Sequence, residues 1–240
     1  MSSTFGPGST LGSVDGPDAS PPVTDAVRVQ ILATEHWSLL ATRQLASAEA
    51  FSRAGLFLTV LSASVVALAL VAQTGSDRDL TLFSLLLLPV VLMLGVATFF
   101  RLSAINQLDE RLLVGMNRLR RGYLDVAPDL EPYFITGSHD DNAGLARTAG
   151  LDGTFSQPFP LQVLVSTPVV IGVLDGVIAG VLTGVVARWA GLSSGPAVGL
   201  GVLSGLVLLG LLALLPARQL SAWVRTYQPR FSSPTAEPDR

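Results

Sequence analysis

The chain has 240 residues, no cysteine, arginine as its only basic residue apart from two histidines, and a formal net charge of −3. This excludes disulfides, thiol chemistry, a phosphate-loop lysine and Schiff-base chemistry, and it argues against general nucleic-acid binding. With 49% hydrophobic and 14% charged residues, it is too apolar for an ordinary soluble domain, where about a quarter are charged.

Residues 1–22 hold fifteen Ser, Thr, Gly or Pro and have neither a basic start nor an apolar core. They read as a disordered cytoplasmic tail, and no secretory leader is expected. Residues 24–53 contain no proline, with Thr24 or Asp25 as cap and Val29, Leu32, Ala33, His36 and Leu40 as an apolar stripe. Glu49 and Arg53 form an i,i+4 pair. No breaker precedes the first apolar run, so one helix is predicted from about 24 to 73.

A membrane helix needs about 20 apolar residues. Four runs qualify: 54–73, 80–100, 161–187 and 197–215. The turns "TGSDRD" and "GLSSG" separate them pairwise. The second run continues past the membrane. Ile105, Leu112 and Leu119 repeat at seven, as do Leu102, Asp109, Met116 and Tyr123, giving an a/d-like seam with one polar interruption. This extension projects roughly 35 Å at 1.5 Å per residue, with Gly122 and Pro128 predicted to end it. Residues 23–128 thus form a helical hairpin with a cytoplasmic stalk. Arg118, Arg120 and Arg121 cluster at its tip, where cations suit a helix C-terminus; an anion or partner contact is the sharper alternative.

Residues 129–160 form a Gly-, Pro- and Asp-rich cytoplasmic loop. Tyr133 and Phe134 are expected to dock on the stalk. His139, Asp140 and Asp141 in "GSHDD" are too close in sequence to wrap a metal, so a solvated turn is preferred and no metal site is expected. No hydrolase, nucleotide-binding or metal motif is present, so no catalytic residue or cofactor is assigned and an enzyme is the least favoured reading.

In residues 161–216, the third span carries Gly172, Gly176, Gly180 and Gly184 at every fourth position. The first span has Gly55, Thr59, Ala63 and Ala67, and the fourth Ala197, Gly201 and Gly205. Such small faces let membrane helices approach closely, which points to a compact four-helix bundle. Asp175 is the one charge in the third run. At the bilayer centre it costs about 2.5–3.5 kcal/mol by insertion scales. If the helix starts near Leu161 it lies at the midplane; if Thr167 caps it and Pro168 is its first residue, it lies about two turns in. Ser62, Ser64, Ser84, Thr98, Thr183 and Ser204 are candidate partners. The bland reading is a neutral, hydrogen-bonded register residue. The sharp reading is an Asp175 ring from several subunits lining a cation or proton path.

Arginine counts set orientation. With the N-terminus inside, thirteen arginines fall inside and only Arg78 and Arg188 outside. A multi-pass protein of the inner (plasma) membrane with both termini cytoplasmic is expected, residues 217–240 forming a second tail. Phe99, Phe100, Trp223 and Tyr227 fit the inner interface and Trp189 the outer.

The segments "ILATEHWSLLATRQLASAEAFSRAGLFLTVLSASVVALALVAQ" and "VGMNRLRRGYLDVAPDLEPYF" resemble bacterial multi-pass integral membrane proteins of unassigned activity. The chain is also similar to the SLATT group, whose two membrane helices extend into cytoplasmic helices. That resemblance implies a pore-forming effector in nucleotide-signalled defence, although the second pair of spans lies outside the simple SLATT pattern. The expectation is an all-α membrane protein of four transmembrane helices, with long cytoplasmic extensions of the first pair. Its leading function is a non-enzymatic oligomeric pore or regulated effector. A scaffold binding a cytoplasmic protein through the stalk comes second, and a small transporter third. The bilayer, a homo-oligomer and a cytoplasmic protein are the expected partners.

Overall fold

The computed structural model describes residues 23–150 and 166–234, with the side chains of 219–224 left aside. Helix α1 spans Asp25–Thr74 and α2 spans Asp77–Val126. A 3-10 turn, Pro128–Tyr133, and a short α3, Asn142–Thr148, follow. Helices α4, Thr167–Trp189, and α5, Ser194–Thr226, complete the fold. There is no strand among the described residues. Four of these helices are long and apolar enough to cross a membrane, so this is an all-α membrane protein.

The α1–α2 turn is set by a capping box. The Asp79 N–H donates to Ser76 Oγ at 3.2 Å, and the Ser76 N–H donates to Asp79 Oδ2 at 3.0 Å. Asp77 and Asp79 also face the favourable end of the α2 dipole. The α4–α5 turn uses Gly191 at φ +90°, a left-handed cap that a side chain rarely adopts. Its carbonyl bonds come from Gly191 N–H to Arg188 O and Leu192 N–H to Ala187 O, both at 3.0 Å.

The helices pack in series: α1 on α2, α2 on α4, and α4 on α5, with α2 and α5 touching only narrowly. The molecule is therefore two antiparallel hairpins joined along α2 and α4. On α2 the inward line runs Ser84, Leu88, Val91, Gly95, Thr98, Leu102 and Ile105, all buried. It alternates steps of four and three residues and leads straight into the stalk seam, a period of 3.5 that favours a left-handed supercoil.

At 50 residues each, α1 and α2 far exceed the length needed to cross a membrane, and their excess forms the stalk. The polar Asp109 in its seam is met within the chain. Arg43 Nε donates to Asp109 Oδ1 at 2.6 Å and Nη2 to Oδ2 at 3.1 Å. Nearer the apolar part, Glu49 accepts from Arg101 at 2.8 and 2.7 Å and from Arg53 at 2.8 Å. Those bonds, Arg101's first, hold its carboxyl at about 2. Gly122 does not end α2. It lies inside the helix, where Leu32 of α1 packs 3.1 Å from where its Cβ would be. The helix stops at Val126, before Pro128, because a residue preceding proline is pushed out of the helical region.

Candidate functional site

Asp175 is placed by the start of α4. Ser166 is the N-cap and Pro168 sits in the first turn, where its missing N–H costs nothing. Ser166 thus takes the capping place expected of Thr167, and Asp175, eight residues after Thr167, lies about 12 Å into the helix. Its side chain is fully buried. Among the described residues no group donates a hydrogen bond to either carboxylate oxygen. The carboxylate presses against α2 at Gly95. A Cβ on Gly95 would collide with Asp175 Oδ1, and would lie 2.7 Å from its Cγ and 2.8 Å from the Phe57 ring. Glycine at 95 thus makes the room, and Phe57 of α1, 0% exposed, closes it over.

The hydroxyls expected to partner Asp175 do not reach it. Ser64 donates to Val60 O at 2.7 Å and Thr98 to Leu94 O at 2.8 Å. Ser204 donates to Thr183 at 2.8 Å across α4 and α5. Ser62 faces outward, and Ser84 is buried without bonding Asp175. Helical Ser and Thr satisfy themselves on the carbonyl one turn back, which removes their need for the carboxylate. A buried carboxylate without donors is costly when charged; its oxygens retain the capacity to hold a proton, a cation or water.

Two cavities lie along the seam on opposite sides of this carboxylate, and Asp175 lines neither of them. One, of about 310 Å³, opens between α2, α4 and α5 on the stalk side. Ser103, Asn106, Gln107 and Glu110 form its polar wall, and Phe99 with Gly172 its apolar floor. Burial, then the neighbouring Asp109 charge, pushes the Glu110 carboxyl up. Asp175 lies one helical turn beyond Gly172, and the Phe99 ring sits 3.1 Å from where a Gly172 Cβ would be. Phe99 thus lines the end of the cavity nearer the carboxylate. The second cavity, about 600 Å³, lies between the hairpins at the far side, with Thr81, Ser84, Leu88 and Arg188 among its walls.

At the stalk end the hairpins are latched. Asn117 of α2 is fully buried. Its amide donates to His139 O at 2.7 Å and Gly144 O at 3.2 Å, while its Oδ1 accepts from Arg120 and Thr148 at 2.8 Å each. This holds the segment after α2 in place. Asp140 then captures the chain that leaves α5. It accepts from Arg118 at 2.7 Å, the Tyr227 hydroxyl at 2.9 Å, Arg230 N–H at 3.1 Å and Phe231 N–H at 2.8 Å. Burial raises the Asp140 carboxyl, but these bonds outweigh it and bring it to about 2. Asp141 caps α3 through Gly144 N–H at 2.9 Å and accepts from Ser233 N–H at 2.7 Å. The "GSHDD" stretch is thus a half-buried clasp around a buried Asp140 rather than a solvated turn, because the chain after α5 supplies the donors that water would have given.

The three tip arginines are engaged separately. Arg118 pairs with Asp140 and lies 5.9 Å over the Tyr227 ring. Arg120 is buried beside Asn117. Arg121 pairs with Asp125 at 3.1 Å one turn on. They therefore form no shared anion cradle. Tyr133 is 80% exposed rather than docked, while Phe134 is half-buried. Residues 229–234, read as free tail, include the clasped Arg230, Phe231 and Ser233. Residues 1–22, 151–165 and 235–240, and the Trp223 side chain, lie outside the described residues.

The glycines divide between two tasks. A Cβ on Gly205 would lie 2.6 Å from Gly176 O, and one on Gly201 2.6 Å from Gly180 O. Gly172 faces Phe99 of α2 instead, and Gly184 is only in ordinary contact with Ala197. The site therefore belongs to a four-span, all-α membrane protein with an acidic group between its hairpins. No family model, curated protein or solved structure matches the chain.

Proposed function

We propose that this chain is a regulated, non-enzymatic membrane effector that passes protons or small cations along the seam between its hairpins, with Asp175 as the intermediate carrier. The observation that supports it most is Asp175 itself: a donorless buried carboxylate between two cavities, at the contact of α2 with α4. Glu110 stands at the stalk-side mouth and Phe99 is the barrier. The Asp140 clasp ties the end of α5 to α2, so it holds the hairpins together and the seam closed. In this reading the stalk and clasp are cytoplasmic, following the arginine bias, the membrane is the plasma membrane, and the chain works as a homo-oligomer. Each copy carries its own path: Asp175 faces its own α2, which disfavours a shared ring of Asp175.

Ion flux from liposomes holding the full chain tests this. Asp140→Asn is expected to raise flux, and Asp175→Asn to suppress it in either background. Flux insensitive to Asp175→Asn would remove the carrier role. A scaffold is the second reading, favoured by Tyr133 and Ile135, 80% and 91% exposed beside the clasp.

A further inference from the structure

We propose that two copies pair in parallel through the outer face of α1, along a second seam that runs from the stalk into the membrane. Starting at Val27 and stepping alternately by four and three residues to Val66, every position on α1 is exposed and none is charged. That is the period with which helices interlock, and it repeats that of the α2 inward line. The seam lies on the side of α1 turned away from α2, and α1 is the end helix of the series. Charged residues occur throughout the stalk part of α1, yet none falls on this line.

Its composition differs from that of a lipid-facing surface. The exposed face of α2 in the apolar part presents Leu82, Leu86, Val90 and Met93. The α1 seam there carries Gly55, Thr59 and Ser62, small residues that let a second helix approach. In the stalk, where no lipid is present, it exposes Val27, Ile31 and Leu45, at 47%, 60% and 73%.

The occupant follows from this continuity. Lipid covers only the membrane half, and a soluble partner only the stalk half. A helix that crosses the same boundary with the same period covers both, and α1 of a second copy is such a helix. Copies inserted the same way meet with α1 parallel, about a twofold axis along the membrane normal, so each seam position faces its own counterpart. The flanking positions also permit this. One edge carries Gln30, Trp37, Gln44 and Phe51, all uncharged, so no like charges meet across the pair. Trp37 and Phe51, 70% and 75% exposed, gain cover there. The inference deepens the oligomeric part of the proposed function without depending on ion passage.

The natural absence of cysteine makes the test clean. Ala41→Cys and Ala48→Cys lie on the seam, and Ser47→Cys is exposed on another side of the same helix. In the full-length chain in membranes, mild oxidation is expected to give disulfide-linked dimers at 41 and 48 but not at 47. Adding Leu45→Arg to Ala48→Cys is expected to cut dimer yield about ten-fold; Leu45 lies outside the core, so the monomer fold is spared. Equal linkage at 47, or none at 41 and 48, would overturn the pairing. Linkage that persists in Asp175→Asn while flux is lost separates this surface from the carrier role.

Discussion

Two close helix contacts in this molecule use glycine in the same way and reach different ends. Between α4 and α5, Gly176 with Gly205 and Gly180 with Gly201 bring backbone against backbone. Between α2 and α4, Gly95 makes room for a carboxylate that has no donor. The first contact is complete in itself: removal of side chains lets apolar surfaces meet, and nothing polar is left wanting. The second leaves a buried polar group unmet, which structural packing alone does not require. The difference separates glycine used to hold helices together from glycine used to accommodate a reactive group.

Substitutions sharpen that contrast. Gly201→Ala and Gly205→Ala face backbone that cannot turn aside, so each is expected to cost about 1–3 kcal/mol. Thermal unfolding in detergent measures this, and unchanged midpoints would contradict the close contact. Gly95→Ala meets a side chain instead and should cost somewhat less. Asp175→Ala should recover much of that loss in the double variant, whereas strict additivity would place the carboxylate elsewhere.

The clasp supplies a third, smaller effect. Asp140→Asn should release residues 227–234 from α2, with hydrogen-exchange protection there falling about ten-fold, or about 1.4 kcal/mol. The matching pH dependence has a definite sign. The Asp140 carboxyl is lowered from 3.8 to about 2, so its contribution is full above 3.8 and fades as pH falls toward 2. A fluorophore pair on the stalk and residue 232 should therefore separate only in that acidic window; separation near neutrality would point to another latch.

The smallest effect concerns His36, which packs against Tyr123 at 6.0 Å between ring centroids. Burial, then Arg120, lowers its pKa below 6.5. Below pH 6.5 the unfolded chain binds a proton that the folded stalk resists, so stability falls there. His36→Gln should flatten this slope, measured by denaturant unfolding across pH.

Spans, turns and stalk were readable because each rests on local pattern: apolar length, the polar turns "TGSDRD" and "GLSSG", and the repeat through Ile105 and Leu112. Asp175 stood out as a charge in an apolar run. Its setting did not, since Gly95 is a single glycine among leucines and its meaning depends on what lies opposite. The clasp was hidden for the same reason: Asp140 and Tyr227 are 87 positions apart. Residue type alone suggested metal ligands or solvent for Asp140, and only the fold brings Arg118 and the chain after α5 to it.

The most direct measurement is liposome flux through Phe99→Leu, with and without Asp175→Asn. Trimming the ring is expected to extend the stalk-side cavity toward the carboxylate. Flux is expected to rise several-fold in Phe99→Leu and to fall to the protein-free level once Asp175→Asn is added. A raised flux that survives Asp175→Asn, or no flux in any variant, would contradict Asp175 as the carrier between the hairpins.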